Sequence, residues 1–363
     1  MRVAIVHDYI KEYGGAERVL ETLHELYPKA PVFTTVFLPE FLGPHRNRFK
    51  DWGIKTSPLQ EVPFNSKLIS PARLVAPLVF RDFDFSKFDV VIVSQTGAYT
   101  PNLIKKKNAV QICYTHTPPR YLYGYATARD WRRNVFLRVF GEVSNHILRM
   151  VDFRSSQNVD FFIANSENTR KRIQKFYRKD SKVIYPPVEA QNLDVQKGNF
   201  FLAGGRIARP KHIDLIVKAF EKNGLPLKVF GRTFGGAEDL DSSKENIEFL
   251  GEVSDNEKYQ LMAEAKAFIF ASEDEDFGIT PVEAQMLGTP VVAYKSGGVL
   301  ETVEDGKTGV FFDILTVQSL NSAIDRSTKI HFEPATIKKS AEKFSKDNFK
   351  KKIKEFVGSK SKK

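Results

Sequence analysis

Apolar residues in this chain fall into short continuous blocks, alternating with longer stretches in which they recur every three or four positions. Short blocks rich in Val, Ile and Phe read as buried strands, and the longer periodic stretches as amphipathic helices. In the first half the blocks Val3–Val6, Val32–Val36, Val90–Val93, Val110–Tyr114, Phe161–Ala164 and Val183–Tyr185 predict strands. Ala16–Leu26, Val135–Met150 and Glu167–Phe176 carry helical spacing. Tyr185-Pro186-Pro187 then breaks the pattern, because a residue before proline is pushed out of the helical region. The alternation restarts beyond it. Strands are expected at Phe200–Ala203, Leu227–Phe230, Ile247–Leu250, Ala267–Phe270, Val291–Ala293 and Gly309–Phe312, and helices near Ile213–Phe220 and Glu257–Ala265. The stretch from Ile337 to Phe356 reads as helical and basic.

Alternating strand and helix is the signature of a parallel α/β sheet. The expectation is two Rossmann-like, doubly wound domains, residues 1–187 and 188–344, facing each other across a cleft. Residues 345–363 form a terminal helix and basic tail that return to the first domain. In such sheets ligands bind beyond the carboxyl ends of the strands.

Composition changes this picture only through charge and cysteine. The 363 residues carry a net charge of +11, unevenly spread. Residues 1–100 hold about +1, 101–187 about +11, 188–344 about −7 and 345–363 about +6. Nucleic acid or anionic lipid would each suit the basic half on charge alone. No recognition helix, finger or aromatic platform supports nucleic acid, so none is expected. The single cysteine, Cys113, sits in an apolar run and reads as a buried small residue, which with the absence of a disulfide fits a reducing cytoplasm. Met1-Arg2-Val3-Ala4-Ile5-Val6 reads directly as a strand, without a signal-peptide pattern.

The most informative chemistry lies in Glu275-Asp276-Phe277-Gly278-Ile279-Thr280-Pro281-Val282-Glu283. Two carboxylates eight positions apart are joined through a Phe-Gly turn to a short helix. Thr280 is expected as its N-cap and Pro281 as its first residue, so the helix N-terminus would offer backbone N–H groups to an anion. The same letters also spell a capping box in which Glu283 reaches back to the cap. Glu275 in turn could be one charge in the solvated run Glu273–Asp276. Gly204-Gly205-Arg206, with Lys211 five positions on, follows a strand. The glycines admit close backbone approach, and the two cations can reach a diphosphate or simply stand in solvent. Gly14-Gly15 opens the first helix without the three-glycine dinucleotide spacing. His116 follows a strand in Tyr114-Thr115-His116-Thr117-Pro118-Pro119-Arg120-Tyr121, as a site residue or a hydrogen-bonded structural one. Asp82-Phe83-Asp84 reads as a surface turn, and no arrangement of His or Cys supports a metal centre.

Together these segments resemble the retaining family-4 glycosyltransferases of GT-B architecture, over nearly the whole chain. The resemblance implies that Glu275 and Glu283 are the family's spaced acid pair. It makes Arg206 and Lys211 the diphosphate-binding cations, Gly14-Gly15 the N-terminal glycine loop, and His116 the histidine near the donor sugar. Phe277, Gly278 and Ile279 join the donor site with them. Tyr114–Tyr121 looks most like the mannosyltransferase branch. Gly231-Arg232-Thr233-Phe234-Gly235-Gly236 departs from the commoner Gly-Asp-Gly-Pro turn, which puts the base preference in doubt. The implied reaction is metal-independent transfer of a hexosyl group from a nucleoside-diphosphate sugar to a glycan or lipid-linked acceptor. A GT-B sugar-nucleotide epimerase, or a catalytically idle sugar-nucleotide-binding protein, is the alternative.

On the acceptor side, Arg129, Arg132, Arg133, Arg138 and Arg149 lie among Trp131, Val135, Phe136, Leu137, Val139 and Phe140. That mixture fits an enzyme lying on an anionic membrane surface, peripheral at the inner face of the plasma membrane. It also fits an ordinary helix with an apolar core face and a solvated basic one.

Overall fold

The computed structural model describes residues 1–127, 135–191, 193, 195–233, 242 and 244–361, and only the backbone of 135–137. The chain divides into two compact units. One takes Met1–Tyr125, Trp131–Pro187 and Lys346–Lys363, the other Ala126–Asp130 and Val188–Ser345. Of the described residues, Ala126 and Thr127 fall in the second unit although they lie within the span 1–187. Within the second unit the Thr127 carbonyl accepts a hydrogen bond from Arg209.

The first unit is built from β1 (Val3–His7), α1 (Gly15–Leu26), β2 (Val32–Thr34), β3 (Ile54–Thr56), α2 (Asn65–Leu68), α3 (Ala76–Asp82) and β4 (Val90–Gln95). It continues with β5 (Val110–Thr115), α4 (Arg120–Tyr123), α5 (Val135–Gln157), β6 (Phe161–Ala164), α6 (Glu167–Tyr177) and β7 (Ser181–Val183). Its seven strands run in the order β3-β2-β1-β4-β5-β6-β7, every pair parallel. Buried on both faces, β1 and β4 are continuous apolar runs, which is why they were legible. β3 has no such run, and its residues are only partly buried. β7 covers Ser181–Val183 instead of Val183–Tyr185. The ladder ends at Ala164 opposite Val183, where β6 itself ends.

The second unit comprises β8 (Phe201–Gly204), α7 (Ile213–Asn223), β9 (Leu227–Phe230), β10 (Ile247–Gly251), α8 (Asp255–Glu264), β11 (Phe268–Phe270), α9 (Ile279–Met286), β12 (Val291–Tyr294), β13 (Gly309–Phe312), α10 (Val317–Lys329) and α11 (Pro334–Ala341). Its parallel sheet runs β10-β9-β8-β11-β12-β13. Each sheet thus reverses its winding at one place, between β1 and β4 and between β8 and β11. Crevices at such switch points are where open α/β sheets bind ligands.

The terminal helix α12 (Lys346–Lys360) belongs to the first unit. It buries Phe349, Ile353 and Val357 in the core that also holds Ile5, Val19, Leu20 and Tyr114. Lys346 and Lys350 both pair with Glu25 of α1.

Helix α5 buries Asn145, Leu148 and Asp152. Val139, Phe140, Val143 and Ile147 are more than half exposed on it, and the basic side chains of Arg138 and Arg154 are exposed too. Its apolar residues are thus not simply a core face. Arg129, Trp131, Arg132 and Arg133 lie outside the described residues, as do the side chains of Val135, Phe136 and Leu137. Among the described residues no helix is long and apolar enough to cross a membrane.

Candidate active site

The switch point of the second unit gathers the loop after β8 and the loop after β11. Lys211, from the first loop, pairs with the Glu275 carboxylate from the second. The Ser272 hydroxyl donates to the same Glu275 oxygen at 2.7 Å. Lys211 also stands 5.1 Å from the centre of the Phe270 ring. Glu275 is therefore a held side chain, not one charge of a solvated run. Its neighbour Glu273 lies 3.3 Å from His212. Arg206 is exposed on the β8 loop.

Close packing of backbone fixes this loop. A Cβ on Gly297 would come within 2.3 Å of the Glu275 carbonyl oxygen, and one on Gly298 within 2.4 Å of that of Asp276. The Gly298 N–H donates to the Glu275 carbonyl at 2.8 Å. Only glycine lets the segment after β12 lie against the Glu275–Phe277 backbone this closely.

The helix after the loop starts earlier than its letters imply. Gly278, at φ 89°, is the N-cap of α9, so Thr280 and Pro281 are its second and third residues. A positive φ costs glycine little, and proline is tolerated in the first turn because those N–H groups have no intrahelical partner. Thr280 is thus not the cap, and the alternative reading of these letters as a capping box does not describe this helix start. Glu283 lies deeper in the helix, is buried, and meets the Lys258 ammonium of α8 at 2.9 Å. Lys258 also reaches Asp255 at 3.2 Å. Phe277 packs its ring edge against Phe344, so only its backbone can face a ligand. Ile279 is partly exposed at the first turn. Of the segment 231–236, residues 234–236 lie outside the described residues.

In the first unit, Gly14 is the N-cap of α1 and Gly15 its first residue. The Gly14 N–H donates to Glu17 Oε2 at 2.8 Å. His116 is buried beyond β5, its Nε2 3.1 Å from Ser94 Oγ. Burial, followed by the charge of nearby His7, pushes its pKa down to about 3, so the ring is neutral. Its backbone is pinned as well, since the carbonyl accepts from Thr169 at 3.1 Å. Asp8, next to the switch point, accepts from the N–H groups of Thr96, Ala98 and Tyr99. Cys113 is buried and its thiol is pushed up to about 12 by burial, as an inert core residue requires. The surroundings His7, Glu17, Ser94, Ser272 and Lys258 escaped the sequence reading. Glu17 alone carried a signal, as an acid three positions after the glycine cap.

Two parallel, doubly wound units with their polar loops at the strand ends define a GT-B type architecture. Residues 187–350 match the family described as Glycosyl transferases group 1, and residues 13–192 match Glycosyltransferase Family 4. The chain belongs to the family-4 glycosyltransferases. It is 25% identical over 286 residues to the alpha-1,3/1,6-mannosyltransferase ALG2 of Dictyostelium discoideum, covering 65% of this chain and 66% of that one. Over 202 residues it is 27% identical to the glycogen synthase of Pseudomonas syringae pv. syringae (strain B728a), covering 53% of this chain and 39% of the synthase. The chain thus spans just under two thirds of the first relative and about two fifths of the second. Among solved structures, sucrose-phosphate synthase from Thermosynechococcus elongatus superposes with a TM-score of 0.71 at 16% identity, over 99% of both chains. Anabaena HepE in complex with UDP gives 0.68 at 18% identity, over 99% of this chain and 100% of that one. At these identities the structures speak for the fold.

Proposed function

We propose that the chain is a retaining glycosyltransferase that moves a hexosyl group, mannosyl by its closest motif likeness, from a nucleoside-diphosphate sugar to a glycan or lipid-linked acceptor. One observation carries this reading: the Lys211–Glu275 pair joins the two loops of the second unit's switch point, beside the first turn of α9. Breaking the sugar–diphosphate bond leaves negative charge on the diphosphate and positive charge on the sugar. Arg206, Lys211 and the free N–H groups at the start of α9 would stabilise the departing diphosphate. These cations do the work a divalent metal would otherwise do, so no metal is required in this scheme. As Lys211 turns to the diphosphate, Glu275 is released to accept hydrogen bonds from sugar hydroxyls, with Ser272 still orienting it. Glu283 is assigned to the ribose hydroxyls. Gly14, Gly15 and His116 are assigned to the sugar. Retention follows from attack on the face the diphosphate leaves, with the departing phosphate taking the acceptor's proton.

HepE has been solved with UDP and with UDP-glucose, while the ALG2 relative is a mannosyltransferase, so the base and the sugar are read by experiment. The test is a thermal-shift panel of UDP-, GDP- and ADP-sugars without added metal, followed by transfer assays. One nucleotide should stabilise the protein, since a ligand that binds only the folded state raises its stability. Arg206→Ala and Glu275→Ala should each lower turnover by roughly a hundredfold. Near-normal transfer by both folded variants would remove this site. Change of the donor sugar with no acceptor present would instead mark an epimerase.

The acceptor side is proposed to meet an anionic membrane surface. The exposed residues Val139, Phe140, Val143 and Ile147 of α5, beside Arg138, support that partner.

A further inference from the structure

On the ligand side of the first unit lies an apolar groove that the reading above leaves unused. Its walls are Val36 beyond β2, Tyr99 beyond β4, and Leu59, Val62, Leu68 and Ala72 from the stretch after β3. They surround a space of about 270 Å³ that opens to solvent. The Tyr99 backbone N–H donates to Asp8 at the end of β1, which places the groove beside the β1–β4 switch point. The rim is apolar as well. Phe64 is 75% exposed and Leu68 39%, and Leu74, Val75 and Leu78 are exposed beyond them. Phe64 holds a left-handed backbone, φ 58°, which a bulky side chain rarely adopts. Strain of this kind clusters at ligand clamps.

The charge beside this groove is of one sign. Between Val62 and Arg81 the chain has Lys67, Arg73 and Arg81 and no acid. Arg73 leaves the turn Pro71–Leu74, next to Ala72 of the groove wall. Its guanidinium carbon stands 4.3 Å from the centre of the buried Tyr121 ring. Its charge acts on the hydroxyls of both Tyr121 and Tyr99, the second of which lines the groove. Stacking on Tyr121 fixes the planar head group, and Nε is buried without a hydrogen-bond partner. The Nη atoms make no hydrogen bond or ion pair among the described residues, and they reach solvent. Asp8 and Asp152 also act on the Tyr121 hydroxyl, but each has donors of its own and neither pairs with Arg73. A fixed guanidinium with its fork open matches the oxygens of a phosphate.

We propose that the groove and Arg73 form an acceptor subsite for a lipid-linked phosphate, with the phosphate on Arg73 and the first carbons of the hydrocarbon chain in the groove. This rests on the reading of the chain as a glycosyltransferase that takes a lipid-linked acceptor. A free sugar phosphate would find Arg73 but gain nothing from walls made of Val36, Leu59, Val62 and Leu68. A neutral hydrocarbon would fill the groove and leave Arg73 without an acceptor. A lipid phosphate uses both, and the exposed Leu68 and Phe64 continue the apolar track for the rest of its chain.

The experiment is a calorimetric titration of the full chain with butyl, hexyl and octyl phosphate, beside inorganic phosphate and octanol. Affinity should climb about fourfold for each methylene taken into the groove. Octyl phosphate should bind at least about tenfold more tightly than octanol, the worth of a hydrogen bond to a charged group. Arg73→Gln should bring octyl phosphate down to the affinity of octanol. Ala72→Phe, which fills the groove, should flatten the chain-length series. Inorganic phosphate bound as tightly as octyl phosphate overturns the proposal, and so does octanol bound as tightly. These comparisons on the wild-type chain decide even if neither variant folds. Octyl phosphate binding that both folded variants leave unchanged also overturns it, because the ligand then sits elsewhere. If octyl phosphate binds as stated while no sugar nucleotide stabilises the protein, the lipid-phosphate site stands and the glycosyltransferase reading fails. A sugar nucleotide that binds where octyl phosphate does not removes the groove proposal alone.

Discussion

Glu283 is a side chain whose pairing in the fold and whose proposed binding role can be told apart by one substitution. Its carboxylate is buried against the Lys258 ammonium, and Lys258 has Asp255 as a further partner. A pair of this kind contributes little net stability when intact, yet breaking it leaves a poorly hydrated charge. Glu283→Gln keeps the shape and removes the charge. We expect it to lower stability in urea melts by about 2 kcal/mol, within the range for a hydrogen bond to a charged group. If Glu283 also holds the ribose, the folded variant should bind the nucleotide about tenfold more weakly, the worth of about one hydrogen bond. Unchanged affinity in the folded variant would confine Glu283 to its pairing with Lys258.

At the scale of elements, the strands that are buried on both faces were legible because their apolar runs are continuous, as in β1, β4 and β11. β3 was missed because a half-buried strand of three residues carries no pattern to read. The start of α9 was misplaced because Thr-Pro is a strong cap signal, whereas the capping role of Gly278 depends on a positive φ that letters do not show. Lys211 and Glu275 could each be picked out beside a strand end. Their pairing is a product of the β8–β11 crossover and lies beyond any local pattern. The buried face of α5 escaped for a related reason, since it is partly polar. Asp152 on that face accepts from the Tyr123 hydroxyl at 2.8 Å, and burial pushes its pKa up to about 7. In the unfolded chain an aspartate titrates near 3.9. Between those values the folded protein binds more protons than the unfolded one, so this group's contribution to stability is full below about pH 4 and is lost as pH rises through about 7. Asp152→Asn keeps an acceptor for Tyr123 and removes the titration. The variant should therefore gain on wild type in denaturant melts as pH is raised from 5 to 8. A difference that stays flat across that range would show Asp152 ionising at an ordinary pKa.

For the whole molecule, charge is the most lopsided property. The first unit carries about +18 and the second about −7. Net charge alone could serve any polyanion, and the fold narrows the choice by showing what stands beside it. On α5 the exposed residues Val139, Phe140, Val143 and Ile147 recur at helical spacing, with Arg138 among them and Arg154 farther along. Nucleic-acid backbones offer little to an aliphatic stripe, whereas the boundary between headgroups and acyl chains accepts both an apolar edge and its flanking cations. Binding to vesicles should accordingly need both components. The protein should sediment with phosphatidylcholine vesicles that contain phosphatidylserine and not with phosphatidylcholine alone, and salt should weaken the interaction by screening. Arg138→Ala should cost about fivefold in partitioning, from roughly 1 kcal/mol per basic residue near an anionic surface. Phe140→Ser, at an exposed position where stability should hardly change, should weaken binding in vesicles of either salt condition. Equal sedimentation with both vesicle types, or indifference to both substitutions, would leave the basic charge of the first unit without a membrane role and return α5 to a solvated helix.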